Sequence, residues 1–260
     1  MPRHRFLHTL CPASVALLLS ATVSAQSLAD RDWTGFYIGG HLGRGSGDAD
    51  VTARLGGEWS IESQELRDFV ARGFSTRLDP DGTSYGVQAG YRFQFDNGIV
   101  LGGEADYAQL GLEDRRQSGA LSYPASPSLT YDFGNRVEID SQWSLRAKFG
   151  YAFDRHLLFV TAGWTQVDVD ASAGVVSSGG YDKLGRASDS LDGSVYGAGY
   201  AFSFGNGWSL RAEYLRSDVD DLRFDTAYRP GSTFVDPPYR ESLRQTLDFD
   251  VFRVGVDYRF

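Results

Sequence analysis

The feature that most constrains this chain is an alternation of apolar and polar residues that recurs in about eight segments of roughly ten residues. The segment from Ser84 to Phe95 is the clearest, because aromatic and aliphatic residues fall on every second position and polar residues or glycines fill the others. Successive side chains of a β-strand point to opposite faces, so this segment predicts a strand with one apolar and one polar face. Repeated strands of this kind are typical of barrels that have lipid outside and a polar lumen inside.

Tight turn signals join these segments into hairpins. Asp96-Asn97-Gly98 and Gly205-Asn206-Gly207 each separate two alternating segments, and Asn-Gly is a favoured hairpin turn. A third short connection lies near residue 155. The predicted strands are 35–43, 84–95, 99–107, 137–153, 157–165, 194–204, 208–214 and 251–260.

An internal repeat supports this strand count without any use of hydropathy. The pattern Gly-Tyr-x-Phe ends at Phe93, Phe153 and Phe202, and its aromatic half recurs at Tyr258 and Phe260. Each copy closes an even-numbered strand, where an aromatic girdle would lie at one membrane interface. The sequence therefore predicts an all-β fold, a closed antiparallel transmembrane up-and-down β-barrel of eight strands, or of ten if the first long connection also pairs.

Short and long connections alternate along the chain. The long ones lie at about 44–83, 110–136, 166–193 and 217–246. Outer-membrane barrels have short periplasmic turns and long extracellular loops, so both chain ends are expected to face the periplasm. Within the first long connection, residues 63–72, which end before Gly73, are expected either to form a short helix or to extend the barrel outward.

The first 25 residues have the features of a secretory signal peptide. Arg3 and Arg5 precede a short apolar run, and small residues lead to a cleavage site between Ala25 and Gln26. No later stretch reaches the roughly 18 apolar residues of a membrane-spanning helix. We therefore divide the chain into a signal peptide, 1–25, a short periplasmic segment, 26–33, and an outer-membrane barrel, 34–260.

The charge balance excludes one class of partner. Removal of the signal peptide, which holds two of the 25 Lys and Arg residues, leaves 23 basic against 34 acidic side chains, a net charge of −11. Nucleic-acid binding needs a basic surface, so no nucleic acid is expected as a partner. Acidic clusters such as Asp218-Val219-Asp220-Asp221 lack the spacing of a calcium-binding loop and are expected to be solvated. No motif indicates a metal or a cofactor.

The two ends of the predicted barrel resemble a known family. Asp32-Trp33-Thr34-Gly35-Phe36-Tyr37-Ile38-Gly39-Gly40 resembles the opening of the small outer-membrane β-barrel proteins of alpha-proteobacteria, often described as porin-like and related to the OmpA-type transmembrane barrel. The closing segment, Val254 to Phe260, is similar to the C-terminal signal by which outer-membrane proteins are recognised for assembly. The outward residues of this assembly signal are Phe252, Val254, Val256, Tyr258 and Phe260.

The resemblance implies a location and a set of partners. The location is the outer membrane of a Gram-negative bacterium, reached through the periplasm. The implied partners are outer-membrane lipid, lipopolysaccharide and the outer-membrane assembly machinery. The sequence carries no indication of an oligomeric state.

The polar faces of the predicted strands collect opposite charges. The interior of an eight-stranded barrel is just wide enough to be filled by side chains, so these charges are expected to pair and to plug the lumen. A narrow ion path through the same residues is the alternative. The predicted lumen charge network consists of Arg92, Glu104, Asp106, Arg146, Lys148, Arg211, Glu213, Arg253 and Asp257.

Catalysis is not expected. A barrel hydrolase needs a nucleophile and a base within reach, and His41 and His156 are the only histidines outside the signal peptide. We interpret His41 as a polar filler of the lumen and His156 as a solvated turn residue. The sequence thus predicts a structural and surface-exposed barrel, with a narrow passive-diffusion porin for small solutes and an adhesin or receptor acting through the long loops as alternatives.

Overall fold

The computed structural model describes residues 32–233, 235–236 and 238–260. The predicted signal peptide, its cleavage site at Ala25 and Gln26, and most of the predicted segment 26–33 lie outside these residues. The eight long strands are β1 (Gly35–Gly57), β2 (Asp81–Gln94), β3 (Ile99–Gln117), β4 (Ser126–Phe153), β5 (His156–Ser177), β6 (Asp182–Gly205), β7 (Trp208–Asp225) and β8 (Tyr239–Arg259).

The long strands form a closed ring. Each pairs antiparallel with its neighbours in sequence, and β1 pairs with β8, with Tyr37 opposite Arg259 and Gly57 opposite Tyr239. The predicted eight-stranded up-and-down barrel is therefore confirmed. Three short strands, Thr76–Leu78, Leu121–Tyr123 and Ala227–Tyr228, pair at the edges of the long ones.

The two ends of the barrel differ. At one end, here called the turn end, the strands are joined by the three tight turns, and Asn206 and Gly207 both have positive φ, 54° and 82°. Such a pair of left-handed residues matches the twist of a two-residue hairpin. The opposite end, called the loop end, carries the other four connections. The predicted asymmetry of the connections is present.

An outward belt of apolar side chains surrounds the half of the barrel nearest the turn end. Along β2 and the residue that follows it, the belt runs from Tyr85 to Phe95, ten residue steps, which gives ~33 Å of extended chain and a height of ~25 Å at a tilt of ~40°. This height matches the apolar band of outer-membrane barrels. The tryptophans that the alternation places outside, Trp143, Trp164 and Trp208, are 54%, 47% and 49% exposed.

Toward the loop end the pattern inverts. On β5, Leu158, Val160 and Trp164 face outward, whereas Val167 and Val169, at odd-numbered positions, are buried inside. The apolar residues move from even-numbered to odd-numbered positions, and no residue is inserted in this strand. Apolar side chains therefore point outward in one half of the strand and inward in the other. The half of the barrel that carries the outward belt thus encloses buried charged side chains, whereas the loop end is packed like a water-soluble protein.

The strands are longer than the sequence predicted. Much of the predicted long loops is strand, and the connections at the loop end are reduced to 58–80, 118–125, 178–181 and 226–238. The ladder hydrogen bonds and the buried odd-numbered residues on β5 and β8 explain why these segments are extended.

Both outcomes considered for the first connection occur. Strand β1 extends to Gly57, a 3-10 helix covers Glu58–Ile61, and α1 covers Gln64–Phe74. Ser63 caps α1, because its side chain accepts a hydrogen bond from the backbone N–H of Leu66 at 3.2 Å. Within the described residues no helix is long and apolar enough to cross a membrane.

Helix α1 folds over the inward apolar residues of the loop end. Val70 and Phe74 are fully buried, and the Phe74 ring lies 5.2 Å from that of Phe133. Asn135 donates a hydrogen bond to the carbonyl of Phe74. The resulting outer core includes Ala49, Val51, Leu78, Leu110, Leu112, Val137, Ile139, Val167, Val169, Val175, Leu247 and Phe249.

Candidate functional site

The nine residues of the predicted lumen charge network all lie inside the barrel. They come from β2, β3, β4, β7 and β8, and none is more than 7% exposed. Each stands on the inward parity of its strand, opposite the outward belt. The structure brings all nine into one connected group of ion pairs.

Glu104 is the centre of this group. Lys148 Nζ lies 2.7 Å and Arg211 Nη1 lies 2.6 Å from Oε2 of Glu104, and Arg146 pairs with Oε1. The hydroxyl of Tyr37 also donates a hydrogen bond to Oε2 at 2.7 Å. One fully buried carboxylate on β3 is therefore held by three cations and a hydroxyl from three other strands, β1, β4 and β7.

Arg253 organises the level next to it. Its Nη2 lies 2.7 Å from Oε2 of Glu213 and its Nη1 lies 2.9 Å from Oδ2 of Asp106. His41 Nε2 approaches the same Asp106 oxygen at 3.1 Å and Arg253 Nη1 at 3.0 Å. His41 is buried, so it occupies the lumen, where the sequence placed it.

Asp257 joins β8 to β2 on the side of the turn end. Its carboxylate accepts hydrogen bonds from Gln88 at 2.7 Å and from Arg92 at 3.1 Å. The Arg92 guanidinium carbon also lies 3.7 Å from the centre of the Tyr37 ring, a cation–π distance. The Arg92 guanidinium therefore interacts both with the ring of Tyr37 and with the carboxylate of Asp257.

The network needs space that a glycine provides. A Cβ on Gly39 would lie 2.2 Å from Oδ1 of Asp257 and 2.3 Å from Nε2 of Gln88. Only the absence of a side chain at position 39 lets these two groups approach the β1 backbone. The glycine thus belongs to the site although it makes no polar contact there.

The energetics of the group follow from its burial. Five cations face four carboxylates, and each desolvated charge is stable only while its partners are in place. Removing one carboxylate would leave several buried cations uncompensated, at a cost of about 3–5 kcal/mol. These ion pairs connect strands on opposite sides of the barrel to one another.

Apolar layers lie on both sides of the charged layer. On the side of the turn end, Trp33 packs in a buried cluster with Val100, Leu157 and Phe159. The Lys148 ammonium lies 4.5 Å from the Phe159 ring centre, where the charged and apolar layers meet. On the side of the loop end, the outer core and α1 follow. Inward side chains thus form three successive layers along the barrel.

The two histidines of the described residues make different contacts. His41 contacts Asp106 and Arg253, and Nδ1 of His156 lies 2.6 Å from the hydroxyl of Tyr200. Among the residues the structure describes, no group of three or more His, Cys, Asp or Glu side chains is placed to hold a metal ion.

The predicted assembly signal lies on the outer surface of the last strand. Four of its side chains are exposed, with Phe252 at 56% and Phe260 at 62%. They belong to the apolar belt rather than to the lumen. The residues on this outward face are Phe252, Val254, Val256, Tyr258 and Phe260.

Several lumen residues escaped the sequence prediction. Tyr37 and Gln88 lie on the inward faces of the predicted strands 35–43 and 84–95, but nothing in the sequence marked them as partners of Glu104 and Asp257. Trp33, assigned to a periplasmic segment, packs inside the turn end and donates its backbone N–H to Gln94 at 2.9 Å. The outer core had a readable signal, since inward parity continues through the segments interpreted as loops.

Comparisons with known proteins agree with this architecture. The sequence model of the outer membrane protein beta-barrel domain family matches residues 15–260. The 31 kDa outer-membrane immunogenic proteins of Brucella melitensis and Brucella suis are each 27% identical over 259 residues, covering 98% of this chain and 95% of theirs.

Two of the solved structures that match this chain come from Yersinia pestis and Escherichia coli. Ail, the attachment invasion locus protein of Yersinia pestis, is 17% identical with a TM-score of 0.34, covering 85% of this chain and 99% of its own. The outer membrane protease OmpT of Escherichia coli is 10% identical with a TM-score of 0.46, covering 87% and 97%.

Proposed function

This chain belongs to the family of outer-membrane β-barrel proteins, and we propose that its role in the Gram-negative outer membrane is structural and surface-exposed, with a lumen closed to solutes. The observation that carries the proposal is the ion pair between Glu104 and Arg211, 2.6 Å long and formed between strands on opposite sides of the ring. A contact of that kind occupies the full width of the lumen.

The layers on either side support closure. A hydrated ion that entered from the periplasm would meet Trp33 and Phe159, then the charged layer, then the buried outer core. Passage would require several buried ion pairs to separate together, because Glu104 alone holds three cations. These features oppose a passive-diffusion porin.

The half of the barrel at the loop end supports a surface role. Strand β1 continues for 15 residues beyond Leu42, which is ~50 Å of strand and ~35–40 Å of height at a tilt of ~40°. Its outward side chains there are polar, as at Arg44 and Asp48. We infer a rigid cylinder that stands above the membrane. The Brucella relatives are named immunogenic, which fits exposure of such a cylinder at the cell surface.

We propose no catalytic activity for this barrel. His41 is engaged by a carboxylate and a guanidinium, and His156 by a tyrosine hydroxyl. Hydrolases commonly pair a histidine base with a serine, threonine or cysteine nucleophile, and among the described residues neither histidine is hydrogen-bonded to one.

The proposed partners follow from the outer surface. The apolar belt would contact outer-membrane lipid, and the polar collar above it, which begins at residues such as Arg44, would contact lipopolysaccharide. The exposed residues of β8 that end at Phe260 would be read by the assembly machinery while the strand is still unpaired. Nucleic acid has no place among these partners, since the net charge is negative.

A liposome-swelling assay tests the proposed closure. Vesicles that contain the refolded protein are placed in an isotonic solution of a small neutral sugar, with an open porin as positive control. The proposal predicts that vesicles containing the protein swell no faster than protein-free vesicles. Swelling that increases with protein content would overturn the closed lumen and favour the diffusion channel.

An adhesin or receptor is the second candidate, favoured by the cavity at the loop end that Trp59 and Tyr239 line. A deletion of residues 50–80 would not test it cleanly, because it removes part of β1 and the buried helix α1. Surface substitutions at the loop end, scored by binding of whole cells to a host-cell monolayer, provide the better test. Unchanged binding by every substituted surface would remove this candidate.

A further inference from the structure

A small cavity opens at the loop end, far from the lumen charge network. Its volume is about 150 Å³, a size that accommodates a benzene-sized guest in other proteins. Its walls come from the first connection, from β4, from the β5–β6 turn and from the start of β8. The lining residues used here are Trp59, Glu62, Tyr131, Tyr181 and Tyr239.

Three of the rings stand at near right angles to one another. Trp59 and Tyr239 have ring centres 4.9 Å apart at 72°, Trp59 and Tyr181 are 5.9 Å apart at 80°, and Tyr181 and Tyr239 are 5.8 Å apart at 84°. Tyr131 lines the same cavity. Such a corner surrounds a guest with aromatic surface on several sides.

A buried carboxylate holds two of these rings in place. Glu241 is fully buried, and it accepts hydrogen bonds from Nε1 of Trp59 at 2.6 Å and from the hydroxyl of Tyr181. Lys183 neutralises it, with Nζ 2.6 Å from Oε2. The polar atoms of both rings are thereby engaged behind the cavity, which leaves ring carbons to line it. The cage is formed before any guest arrives.

A second carboxylate, that of Glu62, faces the cavity. Glu62 accepts a hydrogen bond from the Tyr239 hydroxyl at 2.6 Å, and within the described residues it forms no ion pair. Burial raises the pKa of Tyr131, and the negative charge of Glu62 raises it further. Glu62 therefore interacts with Tyr131 as well as with Tyr239. Leu66, Leu129 and Gly179 at the rim are partly or fully exposed, which gives access from solvent.

We propose that this aromatic cage binds a small organic cation with an alkylated ammonium head. Aromatic faces attract such a cation, the attraction strengthens when water is excluded, and Glu62 supplies the balancing negative charge. The inference goes beyond the structural role and does not depend on whether the lumen conducts. The same head group could be that of a free solute or that of a lipid in a facing membrane.

Isothermal titration calorimetry with choline chloride tests the proposal. The full-length mature protein is used in a maltoside detergent, since detergents with quaternary ammonium or amine-oxide heads would fill the cage. The neutral carbon isostere 3,3-dimethyl-1-butanol has the shape of choline without its charge. We expect saturable binding of choline and binding of the isostere that is weaker by about tenfold or more.

Matched variants assign the binding to the cage. Glu62→Gln should weaken choline binding by about tenfold or more, since one charge is removed with little change of shape. Glu65→Gln, the same change at an exposed position of α1 outside the cavity, should leave it unchanged. Thermal unfolding of both variants checks that the loop end is intact.

Vesicle binding distinguishes the two sources of the cation. Binding to phosphatidylcholine but not phosphatidylglycerol vesicles, lost in Glu62→Gln, indicates a lipid head group, and binding of choline alone indicates a free solute. The proposal is overturned if choline gives no saturable heat, if the isostere binds equally well, or if Glu62→Gln binds choline like the unaltered protein. None of these results would affect the closed lumen, which the swelling assay tests separately.

Discussion

Arg211 and Glu104 pair across the full width of the barrel. Nη1 of Arg211 lies 2.6 Å from Oε2 of Glu104, although three strands separate β7 from β3 on either side of the ring. Both side chains are fully buried or nearly so. Since Glu104 also holds Lys148, Arg146 and the hydroxyl of Tyr37, its removal affects contacts of four strands, β1, β3, β4 and β7.

The first prediction concerns this carboxylate. Glu104→Ala should lower the free energy of unfolding by about 3–5 kcal/mol, because three buried cations lose their shared partner. Urea unfolding in lipid vesicles, followed by tryptophan fluorescence, measures the loss. Glu113→Ala on the same strand is the control, because Glu113 is exposed and its ion pair with Arg136 is solvated. Equal losses in the two variants would contradict the structural role of the network.

The second prediction concerns the space at Gly39. Gly39→Ala should destabilise the barrel by about 1–3 kcal/mol, because its methyl group would displace Asp257 and Gln88. Gly56→Ala on the same strand is a matched control, since a Cβ there meets nothing within 4 Å. The same unfolding experiment compares them. Equal stability of the Gly39→Ala and Gly56→Ala barrels would show that a methyl group fits beside Asp257 and Gln88, and would contradict the tight packing at Gly39.

The third prediction concerns helix α1. Alanine normally stabilises a helix relative to glycine, yet Gly73→Ala should loosen α1, because its Cβ would lie 2.2 Å from a ring carbon of Phe133. Hydrogen exchange of the amides of residues 64–74 should speed up, and adding Phe133→Leu should restore part of the protection. Arg72→Ala, which changes an exposed neighbour in the same turn, should not speed exchange. Slower exchange in Gly73→Ala would mean that the higher helix propensity of alanine outweighs the clash with Phe133, and would contradict the packing of α1 against that ring.

The fourth prediction concerns a titration at the loop end. The hydrogen bond from Tyr239 to Glu62, aided by burial, raises the pKa of Tyr239 to about 12. The raised pKa stabilises the fold fully below the ordinary tyrosine value of about 10, and this contribution is lost as the pH rises through about 12. The difference in ultraviolet absorbance between the unaltered protein and Tyr239→Phe should therefore titrate near 12. Glu62→Gln should move this midpoint toward 10, and a midpoint at 10 in the unaltered protein would refute the hydrogen bond.

The turn-end half of the fold was predictable from the sequence because one physical rule acts on it. Lipid outside and polar side chains inside impose a strict parity, so residues such as Tyr85 and Arg146 could be assigned to faces without coordinates. The resemblance of the two ends to outer-membrane β-barrel proteins is confirmed by the family match. The segment 63–72, expected either to form a short helix or to extend the barrel, contains most of α1, although the helix continues through Gly73 to Phe74.

The loop-end half was interpreted as loops because its rule is the opposite one. Val167, Val169 and Val175 alternate as regularly as the outward belt, but on the inward parity. A search for parity changes, rather than for outward apolar residues, would have found these strand extensions. The ion pairs across the lumen and the aromatic cage could not be predicted in this way, because they join residues that lie far apart in the sequence. Trp59 and Tyr239 are far apart in sequence, and only the closing register of β1 with β8 places them together.

Single-channel recording in planar bilayers tests the closed lumen most directly. The purified barrel is inserted from detergent into a bilayer in concentrated potassium chloride at neutral pH, and insertion is verified by protease protection in matched vesicles. With Arg211 and Glu104 joined across the lumen, we predict no stable conductance steps. Reproducible steps whose size changes in Arg211→Gln would show that ions pass through the charged layer, and would contradict the account.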